Sequence, residues 1–300
     1  MILPVVVRPT MFTNVLVATD GSPGDDVAID HATELADAYG ASVQALYVVD
    51  VGPEPAGLDA DQHETLYEPA ERRGREATVR VENRASDRDL EVARAVREGV
   101  PHEEILAAAA EYDSDLIVVG THGRTGVERA RLGSTTERVL TRADVPVLSV
   151  RLDDDADPLP DDPYDRILLP TDGSDAAERA AESALDVAER YDADVHVVYV
   201  IDSSVTDLED APRSILGVLR EAGESATEDV AELARERGLE ASTEVRRGLP
   251  GDELLAATQS VDADLIAMGT RGRVIASGDL LGSTTARVVR RSPVPVLTVG

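Results

Sequence analysis

A 17-residue segment occurs twice in this chain in one frame: GTHGRTGVERARLGSTT from Gly120 and GTRGRVIASGDLLGSTT from Gly269. Each copy reads G-x-x-G, nine further residues, then G-S-T-T, and each follows an apolar run, DLIVV or DLIAM. An apolar run without alternation is expected of a strand covered on both faces. Where such a strand runs into glycine-rich sequence and re-enters a helix, backbone can approach a ligand with no Cβ in the way. The free N–H groups and positive dipole end of the new helix then face an anion. The two loops are candidate phosphate cradles, and the remaining chain reads as their scaffold.

The duplication extends well beyond the loops. NVLVATDGS (14–22) matches RILLPTDGS (166–174), and ALYVVD (45–50) matches VVYVID (197–202). Further on, REGVPHEEIL (97–106) matches RRGLPGDELL (246–255), and VPVLSV (145–150) matches VPVLTV (294–299). The offset drops from 152 to 149 residues, so the copies differ in length in a middle segment. A chain of 300 residues holds roughly two domains of ~150 residues, each large enough for its own core. Domains are therefore expected at 11–152 and 164–300, joined by the acidic, proline-rich linker 153–163 (DDDADPLPDDP).

Within the first copy strands and helices alternate. Strands are expected at 14–19, 43–49, 90–96, 116–119 and 145–150, and helices at 26–39, near 70–85, from Pro101 to 110 and after Gly133. Pro101 suits the first position of a helix, and the proline-containing stretch 50–69 reads as a variable connection. Such alternation predicts a parallel sheet with right-handed crossovers, hence α/β, with two homologous Rossmann-like domains.

Composition removes several function classes. The chain carries 29 basic residues, all arginine, against 59 acidic ones. That surface repels nucleic-acid phosphates and anionic membranes, and the scarcity of aromatics leaves little for bases to stack on. A salty cytoplasm would screen the charge load, so the composition points to a halophile. Absence of cysteine excludes disulfides, thiolate catalysis and zinc–thiolate sites. No run approaches the ~20 apolar residues that span a bilayer, and the N-terminus is a poor signal peptide, so a cytoplasmic location is expected.

In an open parallel sheet, ligands bind beyond the carboxyl ends of the strands, where strand order reverses. If the first strand is central and the fourth lies beside it across that reversal, T-D-G-S and the glycine loop share one crevice. Asp20 and Asp172 could then accept hydrogen bonds from ribose hydroxyls or an adenine edge. The same residues could instead close a turn or cap the next helix. The loops are electropositive within an acidic chain, with Arg124, Arg129 and Arg131 against Glu128, and Arg271 and Arg273 against Asp279. A Walker loop needs lysine, and no G-x-G occurs, so the P-loop and dinucleotide fingerprints are both absent.

Taken together, T-D-G-S, then Y-V-V-D or Y-V-I-D, then G-x2-G-x9-G-S-T resemble the universal stress protein family, twice, over nearly the whole chain. The resemblance implies a five-stranded parallel sheet between helices in each copy, with ATP held at the crevice. Carried over by position, Asp20 and Val48 would hold adenosine, while Gly120, Gly123, Gly133, Ser134 and Thr135, beside Arg124, would wrap ribose and phosphates. In the second copy the matching residues are Asp172, Val200, Gly269, Gly272, Gly282, Ser283 and Thr284, beside Arg273. Mg²⁺ would sit on the phosphates rather than in a protein cage. Arg271 stands where the first copy has His122, so the second site is expected to differ in affinity or triphosphate geometry. Family dimers pair through their last strand, so 145–150 and 294–299 are expected to meet within the chain as a pseudo-dimer, with further homo-oligomerisation open.

No constellation demands catalysis. His122 could be a general base or a phosphate contact, but its arginine counterpart favours a solvated loop residue, and His31, His63, His102 and His196 share no spacing that suggests a metal site or triad. Ser134 and Ser283 lack a nucleophile elbow. The expected function is adenine-nucleotide binding in a stress or regulatory module. The alternatives are a slow ATPase or adenylate-transferring enzyme of the same architecture, and a scaffold with relic sites.

Overall fold

Each apolar run read above becomes a strand in the computed structural model, which describes residues 11–22, 24–52, 60–122, 132–152, 159–160, 162–203, 213–272 and 280–300. The first copy runs β1 (Asn14–Ala18), α1 (Asp25–Tyr39), β2 (Ser42–Asp50), α2 (Ala60–Ser86), β3 (Val92–Gly99), α3 (Pro101–Glu111), β4 (Leu116–Gly120), α4 (Ser134–Arg142) and β5 (Val147–Val150). The second runs β6 (Arg166–Pro170), α5 (Asp175–Tyr191), β7 (Asp194–Asp202), α6 (Arg213–Glu236), β8 (Ala241–Gly248), α7 (Pro250–Ser260), β9 (Leu265–Gly269), α8 (Ser283–Arg291) and β10 (Val296–Val299). The variable connection is shorter than its prolines suggest, because α2 already starts at Ala60 and carries Pro69 inside it. Packing overrides the lost hydrogen bond there: Tyr67 is buried with Tyr47 and Ala77, and its hydroxyl donates to Val51 O at 3.0 Å.

Each copy is parallel throughout, in the orders β3-β2-β1-β4-β5 and β8-β7-β6-β9-β10. The halves join into one ten-stranded sheet through β5 and β10, which pair antiparallel with Leu148 opposite Leu297. Ser149 Oγ donates to Val296 O and Thr298 Oγ1 to Val147 O, both at 3.1 Å, so the join adds side-chain bonds to its ladder.

Side chains alternating along the strands fill two apolar layers that run across both copies. One joins Val15, Val17 and Val118 to Ile29 and Leu35 of α1 and Leu185 of α5. The other joins Leu16, Ile117 and Val119 to Ile105 of α3, Val139 of α4 and Val288 of α8. Four of the aromatic rings gather where the copies meet. Phe12 packs on Tyr39 with ring centroids 4.9 Å apart, and Tyr164 packs on Tyr191 at 5.0 Å and on His31 at 5.7 Å. Among the described residues no helix is long and apolar enough to cross a membrane.

Candidate functional site

Strand order reverses between β1 and β4, where Ala18 lies opposite Val119. A cavity of about 280 Å³ opens past the carboxyl ends of these strands, and Asp20, Val48, Gly120, Gly133, Ser134 and Thr135 all line it. Six residues expected at the first site thus come together at one place. Gly123, Arg124 and Arg273 lie outside the described residues.

The loop ends are drawn together by backbone bonds. Thr121 N donates to Val150 O (2.8 Å), and Gly133 N donates to Thr121 O (2.9 Å). The second threonine of G-S-T-T, Thr136, is buried and donates from Oγ1 to Gly120 O at 2.6 Å, which ties α4 to the end of β4. A helix leaves its first N–H groups without intrahelical partners, and the N-cap Gly133 has no side chain to take them. The second copy repeats this build, with Gly282 N to Thr270 O (3.0 Å), Thr285 Oγ1 to Gly269 O (2.9 Å), and Gly282 as the bare N-cap of α8. Ser283 and Thr284 open α8 as Ser134 and Thr135 open α4. Helix α5 is different, since Ser174 Oγ accepts from Ala177 N at 3.3 Å.

The first glycine of each loop has a cause other than close approach of a ligand. A Cβ on Gly120 would lie 2.8 Å from Leu152 Cδ1, and one on Gly269 would lie 2.9 Å from Ala176 Cβ and 3.0 Å from its carbonyl carbon. Packing within the chain demands both. Gly120→Ala should therefore cost about 1–3 kcal/mol, and Leu152→Ala in the same chain should recover part of it, because a leucine end can give way. Gly269→Ala meets backbone and should cost more. Urea midpoints of the single and double variants check this order.

In the T-D-G-S turns, Asp20 Oδ1 accepts from Ser22 N (2.9 Å) and Asp172 Oδ1 from Ser174 N (3.0 Å), so one oxygen of each aspartate closes the turn. Gly21 and Gly173, at φ 76° and 69°, take the left-handed position that the turn needs. Asp172 Oδ2 lies against Gly272, 2.7 Å from where a Cβ would stand, so turn and glycine loop touch in the second copy. Val200 sits on β7 opposite Arg246 of β8 as Val48 sits on β2 opposite Arg97 of β3.

Two residues play parts that linear reading did not assign. Asp25, only 3% exposed, lines the cavity, and its Oδ2 accepts from Thr19 Oγ1 (2.5 Å), Gly21 N (2.9 Å) and Asp20 N (3.1 Å). Burial, and after it the Asp20 carboxylate, pushes its pKa up to about 6. The one available signal was an aspartate in the first turn of α1 where the second copy has Ala177. Arg271, read as part of a positive loop, instead donates from Nη2 to Thr141 O of α4 at 3.2 Å. That cation is engaged at the carboxyl end of the first copy's helix, where it complements the dipole.

A larger cavity, about 460 Å³, lies away from this site at the amino ends of β6–β8. Beside it His196 stands between Ser242 Oγ (2.8 Å from Nδ1) and Glu244 Oε2 (3.3 Å from Nε2). Spacing along the chain cannot show such a trio, because strand register creates it, with His196 opposite Ser242. Arg246 Nε donates to the same Glu244 oxygen at 2.9 Å, and the first copy has Gln44, Ala93 and Ala95 at the matching places. Among the described residues no group of three or more His, Cys, Asp or Glu is placed to hold a metal ion.

A family model described as the universal stress protein family matches residues 11–151 and 163–300. The chain is 37% identical over 139 residues to the universal stress protein MJ0531 of Methanocaldococcus jannaschii, covering 45% of this chain and 82% of that protein. It is 27% identical over 300 residues to a universal stress protein of Mycolicibacterium smegmatis, covering 95% and 96% of the two chains. The crystal structure of a universal stress protein from Archaeoglobus fulgidus shares its fold, with a TM-score of 0.73 at 24% identity over 95% of both chains. A match spanning both copies, on a chain whose strand order and loop build repeat as well, shows that the protein belongs to the universal stress protein family.

Proposed function

We propose that the protein binds one adenine nucleotide in each copy, with 11–152 and 164–300 as the binding units, and acts in stress response as a regulatory module rather than an enzyme. One observation carries this reading: α4 and α8 begin with a glycine cap and bare N–H groups, and in the first copy that helix end opens on the cavity that Asp20 lines. The cavity is polarised by this build. Its helix end suits phosphates, and the end near Asp20 and Val48 suits the hydroxyls of a ribose and an apolar base edge. Ser134, Thr135 and the Gly133 backbone would hold phosphates in the first copy, and Ser283, Thr284 and Gly282 in the second. Mg²⁺ would be carried on the phosphates.

ATP titrated calorimetrically into the protein with Mg²⁺ in molar KCl should reveal two sites per chain. Strong screening is the fitting condition for a chain with a formal net charge of −30. Absence of saturable binding would overturn the reading and leave a scaffold with relic sites. Phosphate release that disappears in Asp20→Ala or His122→Ala would instead favour the ATPase.

A further inference from the structure

We infer that Asp25 is a positioning residue of the first nucleotide site and makes that site, unlike the second, bind more tightly as pH falls. The inference rests on the nucleotide reading above. Asp25 holds the Thr19–Gly21 turn through three donors on one oxygen, so it fixes the segment that carries Asp20. Both copies share one bond of the turn, Gly21 N to Thr19 Oγ1 and Gly173 N to Thr171 Oγ1, each at 3.1 Å, but in the second Ala177 replaces Asp25 and Ser174 caps α5. In the first copy Ser22, the counterpart of Ser174, does not cap its helix: α1 has no side-chain cap, and the Ser22 hydroxyl acts on the Asp25 carboxylate instead.

A buried carboxylate in a cavity that takes a polyphosphate opposes its ligand. Among the described residues, the charged and titratable groups about Asp25 are Asp20 on its own turn, Asp50 at the end of β2 and His122 after β4, which line the same cavity. On the outer side are Asp26 and Arg80 of α2, the latter 3.6 Å from Asp26 and donating to Ser22 O at 3.3 Å. A proton taken from solvent onto Asp25 Oδ1 leaves Oδ2 as a carbonyl oxygen that can keep its three donors. The turn persists while the repelling charge goes. With a pKa already near 6, Asp25 is raised further by a bound polyanion, and linkage then makes nucleotide and proton bind together.

Asp25→Asn tests this directly, because the amide is neutral yet keeps an acceptor for the turn. The probe is ATP with Mg²⁺, titrated into the full chain with its second site closed by Thr284→Glu, at about pH 7.5 and pH 5.5 and in two buffers of different ionisation enthalpy. If binding raises the Asp25 pKa by about one unit, affinity on going to acid should tighten about fivefold more with Asp25 than with Asp25→Asn. Proton uptake beyond that of Asp25→Asn should accompany binding. The terminal phosphate of ATP titrates in the same range in both proteins, so the difference between them is the reading. Asp25→Ala, which loses the turn as well as the charge, should bind weakly at both pH values. Equal pH profiles for Asp25 and Asp25→Asn, or loss of binding in Asp25→Asn as severe as in Asp25→Ala, overturns the inference alone. No ATP binding by the Asp25 chain at either pH overturns it together with the nucleotide reading.

Discussion

A Tyr164→Ala chain is expected to be about 3–5 kcal/mol less stable than the parent, the cost of emptying a site filled by a large buried ring. Tyr164 is 0% exposed, its ring lies edge-on to Tyr191, and its hydroxyl is 2.7 Å from His31 Nδ1 on α1 of the other copy. Tyr191 in turn donates to Glu34 Oε1 at 3.4 Å, so one residue just past the linker anchors a network that spans both copies. Tyr164→Phe keeps the ring and leaves His31 Nδ1 without its partner, which should cost about 1–3 kcal/mol. Urea titrations followed by circular dichroism in concentrated KCl would measure both. A loss below about 1 kcal/mol for Tyr164→Ala would mean the copies hold together without this cluster.

The same network has a pH signature. Burial pushes the His31 pKa down to about 4 from the ordinary 6.5. Its neutral form therefore supports the fold above pH 6.5, and up to about 3 kcal/mol of that support is lost as pH falls through 6.5 towards 4. Asp25 runs the opposite way. Its folded value, about 6, lies above the ordinary 3.8, so the stability its neutral form contributes is present below 3.8 and lost as pH rises through 6. Substituting each residue singly should flatten its own limb of the stability curve.

The sequence carries the architecture because its signals are local and duplicated. DLIVV and DLIAM announce covered strands, Pro101 and Pro250 sit at helix starts, and G-S-T-T marks both bare helix ends. What stays hidden is set by neighbours far along the chain. Glycine at 120 is needed because Leu152 fills the space beside it, and glycine at 269 because α5 does. Arg271 reads as a loop cation until the fold brings Thr141 O within 3.2 Å of it. Asp25 resembles any acidic residue in a first helical turn, and only the folded turn converges Thr19, Asp20 and Gly21 on one of its oxygens. Duplication helps with the shared parts and misleads about the rest, because only the first copy adds a buried carboxylate to the threonine and aspartate bonds that hold the turn in both.

Thr135→Glu should abolish nucleotide binding at the first site while leaving the fold as stable or slightly more so. A carboxylate in the first turn of α4 complements the helix dipole by about 0.3–1 kcal/mol. It also puts negative charge on the N–H groups proposed for the phosphates, at a half-buried position that lines the cavity. Losing charge-assisted bonds and gaining repulsion should weaken that site by about a hundredfold or more, roughly 3 kcal/mol. Thr284→Glu should act likewise on the second site, so each single variant retains one ATP per chain and the double variant none. The pairing of lost binding with an undiminished melting temperature separates a blocked cradle from a damaged fold. Wild-type affinity in the double variant would move the phosphates away from α4 and α8 altogether, because no polyanion could sit on either helix end beside the new carboxylate.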